Sequence, residues 1–303
     1  MESAILSQET PVLLNGSPIP RIIYGTARRE GKELPDVPAA LETGYRAIDT
    51  ATSRRFHHED EDGRAIFQYL DKNTISVRRD DIFIQSKYAA PADQEEPWPY
   101  DIKDDARSRV FKSVMSCASS LSVDIIDVYF LSAPISSSAF DGTLAVWRAL
   151  ESIANRGGIR YLGICNVKIA QLRKLYEQAH VKPAFVQNWF RKAEDGYDSD
   201  VMGFCRDRGL VYQIFGVFDT ENANLLNCEP VRRRANSHSV TNHQALLQML
   251  LAAAAAQGLH LCILDGTTST YHMEDNLKAV SQIEEISDAD NREFLDLIGW
   301  TWR

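Results

Sequence analysis

The chain has 303 residues, 44% of them hydrophobic and 25% charged, with a formal net charge of −9 and a pI near 5.3. That acidity argues against nonspecific binding to nucleic acid or to an anionic membrane, since both need a basic surface. The longest apolar run, Met249 to Ala256, is too short to cross a bilayer. Five cysteines, an odd number without a CxxC pair, point to a reducing compartment. Residues 1–14 lack the basic start and apolar run of a secretory signal, so a cytoplasmic protein is expected.

Short apolar runs alternate with helical patterns along the chain. Strands are expected at 21–24, 46–48, 82–85, 126–131, 161–164, 185–187, 211–214 and 259–264, each short enough to be buried on both faces. Helices are expected over 59–70, 105–121, 143–156, 169–178, 198–208 and 243–256. Val146, Trp147, Leu150 and Ile153 recur at helical spacing, as do Val110, Val114, Ala118 and Leu121, so each of these helices carries one apolar stripe. Residues 90–101, with Pro91, Pro97 and Pro99, hold too much proline and charge for a helix and are expected as a surface loop.

Strands alternating with helices imply parallel pairing through right-handed crossovers. At this length they predict an α/β fold, a (β/α)8 TIM barrel forming a single domain over 1–303. The alternative is an open doubly wound sheet. It is weakened because the first strand is followed by Tyr24-Gly25-Thr26-Ala27-Arg28 and not by a GxGxxG turn.

Several segments, in order and at barrel spacing, resemble the aldo-keto reductase family. They are Arg21-Ile22-Ile23-Tyr24-Gly25-Thr26-Ala27, Ile48-Asp49-Thr50-Ala51, Gly157-Gly158-Ile159-Arg160-Tyr161-Leu162-Gly163-Ile164-Cys165-Asn166, Val186-Gln187-Asn188 and Glu274-Asp275-Asn276-Leu277. Pro99-Tyr100-Asp101, Gly196-Tyr197-Asp198 and Gly266-Thr267-Thr268 look most like a fungal and bacterial branch of sugar-dehydrogenase-like members. The resemblance implies four catalytic positions: an Asp, a Tyr, a Lys and a His at the ends of barrel strands. Asp49 and Lys87 match. The tyrosine position falls on Phe56 or His57, depending on where a short insertion is placed, and the histidine position falls on Ser132.

Carbonyl reduction needs a proton donor within reach of the carbonyl oxygen. An imidazole at His57 beside the Lys87 ammonium has its pKa pushed down, which suits a base better than an acid. Phe56 there leaves no acid, and His57 is then an exposed loop residue. Ser132 can donate a hydrogen bond but cannot buffer a proton near neutrality. Arg28 stands where this branch carries a substrate-cavity tryptophan; its fork suits carboxylates and enolates, and its bland alternative is a solvated charge. Trp189 and Trp300 are candidate pocket walls, though tryptophans of this kind more often pack. His57, His58 and Glu59 are adjacent and do not converge as a metal set, so no metal is expected.

For the cofactor, the resemblance implies that Asn166 and Gln187 hold a nicotinamide carboxamide and that Phe215 stacks on the ring. It also implies that Thr267, Asp275 and Asn276 serve the adenosine end. Cys165 replaces a serine. Asp219 and Glu221 add negative charge where a pyrophosphate is expected, so NADP(H) binding is expected to be weakened or lost. The basic run Arg232-Arg233-Arg234 is read as a solvated helix face or as a phosphate contact.

Three functions fit these residues. The drifted proton-handling positions point first to non-redox acid/base chemistry on a small carbonyl compound, such as isomerisation, dehydration or cyclisation in specialised metabolism. The alternatives are an NADPH-dependent carbonyl reductase or dehydrogenase with a substitute proton donor, and a non-catalytic binding protein. The substrate and oligomeric state are not written in the periodicity.

Overall fold

The computed structural model describes residues 18–28, 34–135, 140–192, 196–281 and 286–300. The strands are β1 (Ile22–Gly25), β2 (Ala47–Asp49), β3 (Phe83–Tyr88), β4 (Ile126–Leu131), β5 (Ile159–Cys165), β6 (Phe185–Trp189), β7 (Val211–Phe215) and β8 (His260–Asp265). They follow one another in chain order and close as a parallel (β/α)8 barrel, the class the alternation predicts. The helices are α1 (Val37–Thr43), α2 (Glu59–Lys72), α3 (Ala106–Leu121), α4 (Asp141–Ala154), α5 (Ile169–Gln178) and α6 (Ser199–Asp207). They continue with α7 (Ala223–Leu226), α8 (Glu229–His238), α9 (Asn242–Ala256), α10 (Thr270–Ser281) and α11 (Asp288–Ile298).

The chain divides into two compact units. The first comprises residues 23–187 and 266–268. Its strands β3 and β4 are buried at every position, as expected for strands covered on both faces. The Phe185 ring packs among Phe83, Phe130 and Tyr161. Two glycines permit close approach here. A Cβ on Gly163 would lie 2.3 Å from the Phe130 ring, and one on Gly63 would lie 2.0 Å from the Ser120 carbonyl oxygen. The second glycine is what lets α2 rest against α3.

The start of α2 positions the site. Its first turn is Glu59-Asp60-Glu61-Asp62, four carboxylates where the helix dipole favours negative charge. Positions 59, 62, 63 and 66 are the buried ones, so Glu59 and Asp62 share the inward face with Ile66. Residues 90–101 form the expected loop, with one 3-10 turn at Pro91–Asp93.

The second unit comprises residues up to 22, 188–265 and 269 onward. The helix α9 is capped by Thr241 and Gln244 and is apolar on most sides, and α8, α10 and α11 all pack on it. Trp300 is fully buried, edge-on to Phe190, and donates from Nε1 to the Tyr197 carbonyl at 3.1 Å. It is therefore spent on packing, a correction to its candidacy as a pocket wall. Trp302 lies outside the described residues.

Five helices went unforeseen: α1, α7, α8, α10 and α11, and α7 has only four residues. α1 has only seven residues, α8 is dominated by its three arginines, and α10 and α11 carry polar residues through most of their length. Among the described residues no helix is long and apolar enough to cross a membrane.

Candidate active site

Asp49 ends β2 and is 3% exposed. Its Oδ2 accepts from Lys87 Nζ at 2.5 Å, while Oδ1 accepts from Gln85 Nε2 at 2.5 Å and Gln187 Nε2 at 3.1 Å. Lys87 also donates to the Thr50 carbonyl at 3.0 Å. The additional hydrogen bonds to each partner offset part of the cost of burying such a pair. No tyrosine hydroxyl is among the partners of Lys87 in the described residues. The neighbouring Tyr88 turns its ring onto Tyr100, 5.8 Å away.

The two residues considered for the tyrosine position differ in burial. Phe56 is 45% exposed, with the Arg55 guanidinium over its ring. His57 is 7% exposed, and its Nδ1 lies 3.1 Å from Thr26 Oγ1. Burial first, then the charges of Lys87, Arg28 and His58, hold the His57 imidazole well below its ordinary pKa. Thr26 in turn donates to Asp62 Oδ2 at 2.8 Å, and Thr50 donates to the same oxygen at 2.8 Å. Burial pushes the Asp62 carboxyl up to about 6 despite those two hydrogen bonds.

Glu59 forms a second buried carboxyl. Ser86 Oγ donates to it and accepts from the Lys87 backbone N–H at 2.6 Å. Burial raises the Glu59 carboxyl to about 7, offset in part by hydrogen bonds from Ser86 and Cys117. His57 and Glu59 line a small cavity of about 100 Å³ together with Thr52, Arg54, Trp98 and Ser116. Thr26, Thr50, Asp62 and Ser86 were not singled out from sequence. In sequence the acidic run simply opens the expected helix at 59–70, and only the spacing of positions 59, 62 and 66 could have marked two of its members as inward.

Of the remaining candidates, Arg28 is half-buried and paired through Nη2 with Glu61. Ser132 is half-buried, and its carbonyl accepts from Asn166 Nδ2 at 2.9 Å. Asn166 adopts a left-handed φ of 52° and is exposed, and its Oδ1 has no partner among the described residues. Gln187 Oε1 accepts from Cys165 Sγ at 3.6 Å. Thr267 is half-buried. Among the described residues no group of His, Cys, Asp and Glu could hold a metal ion.

In the second unit, Trp189 stacks on Phe215 at 6.4 Å and donates to Asp219 Oδ2 at 2.9 Å. Asp219 thus has a partner within its own unit. Asn276 Nδ2 donates to Asp265 Oδ2 at 2.9 Å, and the Asp275 carbonyl accepts from Gln244. The arginine run is engaged internally: Arg233 binds Asp290 and Glu293, and Arg234 binds Gln248 at 3.1 Å. Arg233 and Arg234, the last two of the run, thus have partners within the same unit.

This barrel, with an Asp–Lys pair at its strand ends, matches the aldo/keto reductase family over residues 21–297, and the chain belongs to that family. It is 27% identical to the NADP(+) glycerol 2-dehydrogenase of Hypocrea jecorina, over 94% of this chain and 90% of that protein. It is 28% identical to the methylglyoxal reductase DkgA of Escherichia coli, over 58% of this chain and 55% of that protein. Among solved structures, the aldose reductase of Schistosoma japonicum superposes with a TM-score of 0.75 at 22% identity, over 97% of this chain and 93% of that one.

Proposed function

We propose that the protein is an NADP-dependent oxidoreductase that interconverts a small alcohol and its carbonyl compound, with His57 in place of the phenol. The single observation that carries this is the intact Asp49–Lys87 pair with the His57 imidazole buried under the influence of the same ammonium. The non-redox chemistry placed first from sequence is set aside. Both curated relatives named above are called a reductase or a dehydrogenase, and the relative aligned along nearly the whole chain is NADP-dependent by name.

The residues at the nicotinamide end fit a carboxamide. Asn166 offers a carbonyl oxygen with no partner among the described residues, fixed by its backbone and its bond to Ser132, and Gln187 brings a second amide beside Asp49. Asn166 and Gln187 would hold the carboxamide. Phe215, Thr267, Asp275 and Asn276 are assigned to the cofactor by family resemblance alone. When bound, the cofactor supplies the hydride acceptor or donor.

In the oxidising direction His57 takes the hydroxyl proton as the carbinol hydrogen leaves as hydride. Lys87, anchored by Asp49, supplies positive charge that favours the developing alkoxide. Ser132 offers one hydrogen bond to the oxygen. In the reducing direction the same proton returns from His57 to the carbonyl oxygen. A small substrate fits the family, and Arg28, Phe56 and Trp189 remain proposed as its outer contacts.

Titrating the protein with NADPH and following the cofactor fluorescence tests the reading. Saturable binding, with oxidation of the cofactor by a small aldehyde or ketone, supports it. Absence of binding, with turnover of such a compound in cofactor-free buffer, restores non-redox chemistry. Absence of both leaves a binding protein.

A further inference from the structure

Thr26 has one hydroxyl hydrogen, and two groups claim it. One is Asp62 Oδ2 at 2.8 Å, and the other is His57 Nδ1 at 3.1 Å. With Asp62 ionised, the hydrogen goes to the carboxylate and the threonine oxygen can only accept, so His57 carries its proton on Nδ1 and keeps a lone pair on Nε2. With Asp62 protonated on Oδ2, the acid O–H can donate to Thr26 and Thr26 to Nδ1. The ring proton then sits on Nε2. The three side chains therefore couple the charge of one carboxyl to the tautomer of the ring.

We propose that Asp62, acting through Thr26, is the terminal store of the proton that His57 takes from the substrate alcohol. This relay deepens the oxidoreductase reading and rests on it. The step balances as follows. The substrate O–H bond breaks and its proton bonds to Nε2. The Nδ1 proton passes to Thr26 Oγ, and the hydrogen Thr26 held passes to Asp62 Oδ2. The ring is neutral before and after, Asp62 changes from −1 to neutral, and the two electrons of the carbinol C–H bond leave with the hydride to the oxidised nicotinamide.

The surroundings explain why a relay is needed. A cationic imidazole would face Lys87 on β3, Arg28 after β1 and His58 on its own loop, and burial adds to the cost. Moving the charge change to Asp62 avoids that state. Asp62 is 5% exposed and receives both threonine hydroxyls on one oxygen. The groups acting on it are Arg28, which favours the carboxylate, and Glu61, which disfavours it; Glu59 is the other carboxyl buried on the same helix face. Burial brings the Asp62 carboxyl up to about 6, so its protonated form is accessible near neutrality. Thr26 and Asp62 are positioning residues. His57 is the group that touches the substrate.

The test is ¹⁵N NMR of the histidine-labelled full chain without substrate or cofactor, with the His57 signals assigned by their loss in His57→Gln. The relay requires the neutral ring to carry its proton on Nδ1 at about pH 8 and to shift to the Nε2 tautomer toward about pH 5, without becoming cationic. Asp62→Asn should abolish that switch, and kcat for oxidation should fall about 10²-fold while KM moves less than about threefold. A wild-type ring that keeps one tautomer across the range, or one that becomes cationic without switching, overturns the relay. So does an Asp62→Asn ring that switches like wild type. Because the tautomer is read without turnover, its failure is distinguishable from absence of NADPH binding, which would instead defeat the oxidoreductase reading.

Discussion

Thr26 Oγ1 sits 3.1 Å from His57 Nδ1, close enough for a hydrogen bond that only one direction of donation can satisfy at a time. Thr26→Val removes it while preserving shape. Oxidation by the variant is expected to slow about 10²-fold, and Thr26→Ser is expected to recover most of the rate. The valine variant also strips Asp62 of one of its two hydroxyl donors, at a cost of about 1–3 kcal/mol. Steady-state kinetics of both variants, with urea denaturation, check the pair of expectations.

Lys87 and Asp49 are each other's main counter-charge. Lys87→Met leaves a buried carboxylate with only amide donors and is expected to destabilise the fold by about 3–5 kcal/mol. The double variant Asp49→Asn with Lys87→Met, having no charge to strand, is expected to be more stable than the single one. Both are expected to lose catalysis. Chemical denaturation midpoints separate the stability effect from the catalytic one.

Glu59 gives a stability signature with a defined sign. Its carboxyl titrates at about 7 when folded against an ordinary 4.5, so the folded state binds the proton more tightly. Its contribution is complete below about 4.5 and is lost as pH rises through about 7. Asp62 acts in the same direction between 3.8 and about 6. His57 acts oppositely: its contribution is present above 6.5 and is lost as pH falls. Glu59→Gln should therefore be more stable than wild type at about pH 8, by up to about 3 kcal/mol, and equal to it at about pH 4. Thermal melts at the two pH values measure this.

Gly63 is a steric hinge point between helices. The Cβ of Gly63→Ala would approach the Ser120 carbonyl oxygen to 2.0 Å, and backbone cannot swing aside as a side chain can. The helices α2 and α3 must separate, at an expected cost of about 3 kcal/mol or more. The separation should also loosen Glu59 and Asp62, so the variant is expected to lose activity along with stability. Denaturation and kinetics on one preparation check both.

The barrel was legible because buried parallel strands leave a plain mark. The expected strand at 126–131 coincides with β4, and the expected helix at 169–178 coincides with α5. Asp49 and Lys87 were named through the family resemblance; Asp49 ends β2, and Lys87 is the residue before the last of β3. The proton relay was not legible. Asp62 looks like one acid in an exposed run until α2 is seen to turn positions 59 and 62 inward with Ile66. Phe56 and His57 could not be told apart by spacing, because the insertion before them has no period; in the structure they differ in burial. Arg28 lies near the site but pairs with Glu61, a partner more than thirty residues away that no local pattern reveals.

Hydride transfer itself is open to direct measurement. Small polyols deuterated at their carbinol carbons, incubated with the protein and NADP+, should pass deuterium to the nicotinamide, and mass spectrometry should find it in the reduced cofactor. Conversion of such a compound with no deuterium reaching the cofactor would contradict an oxidoreductase built on Asp49, His57 and Lys87.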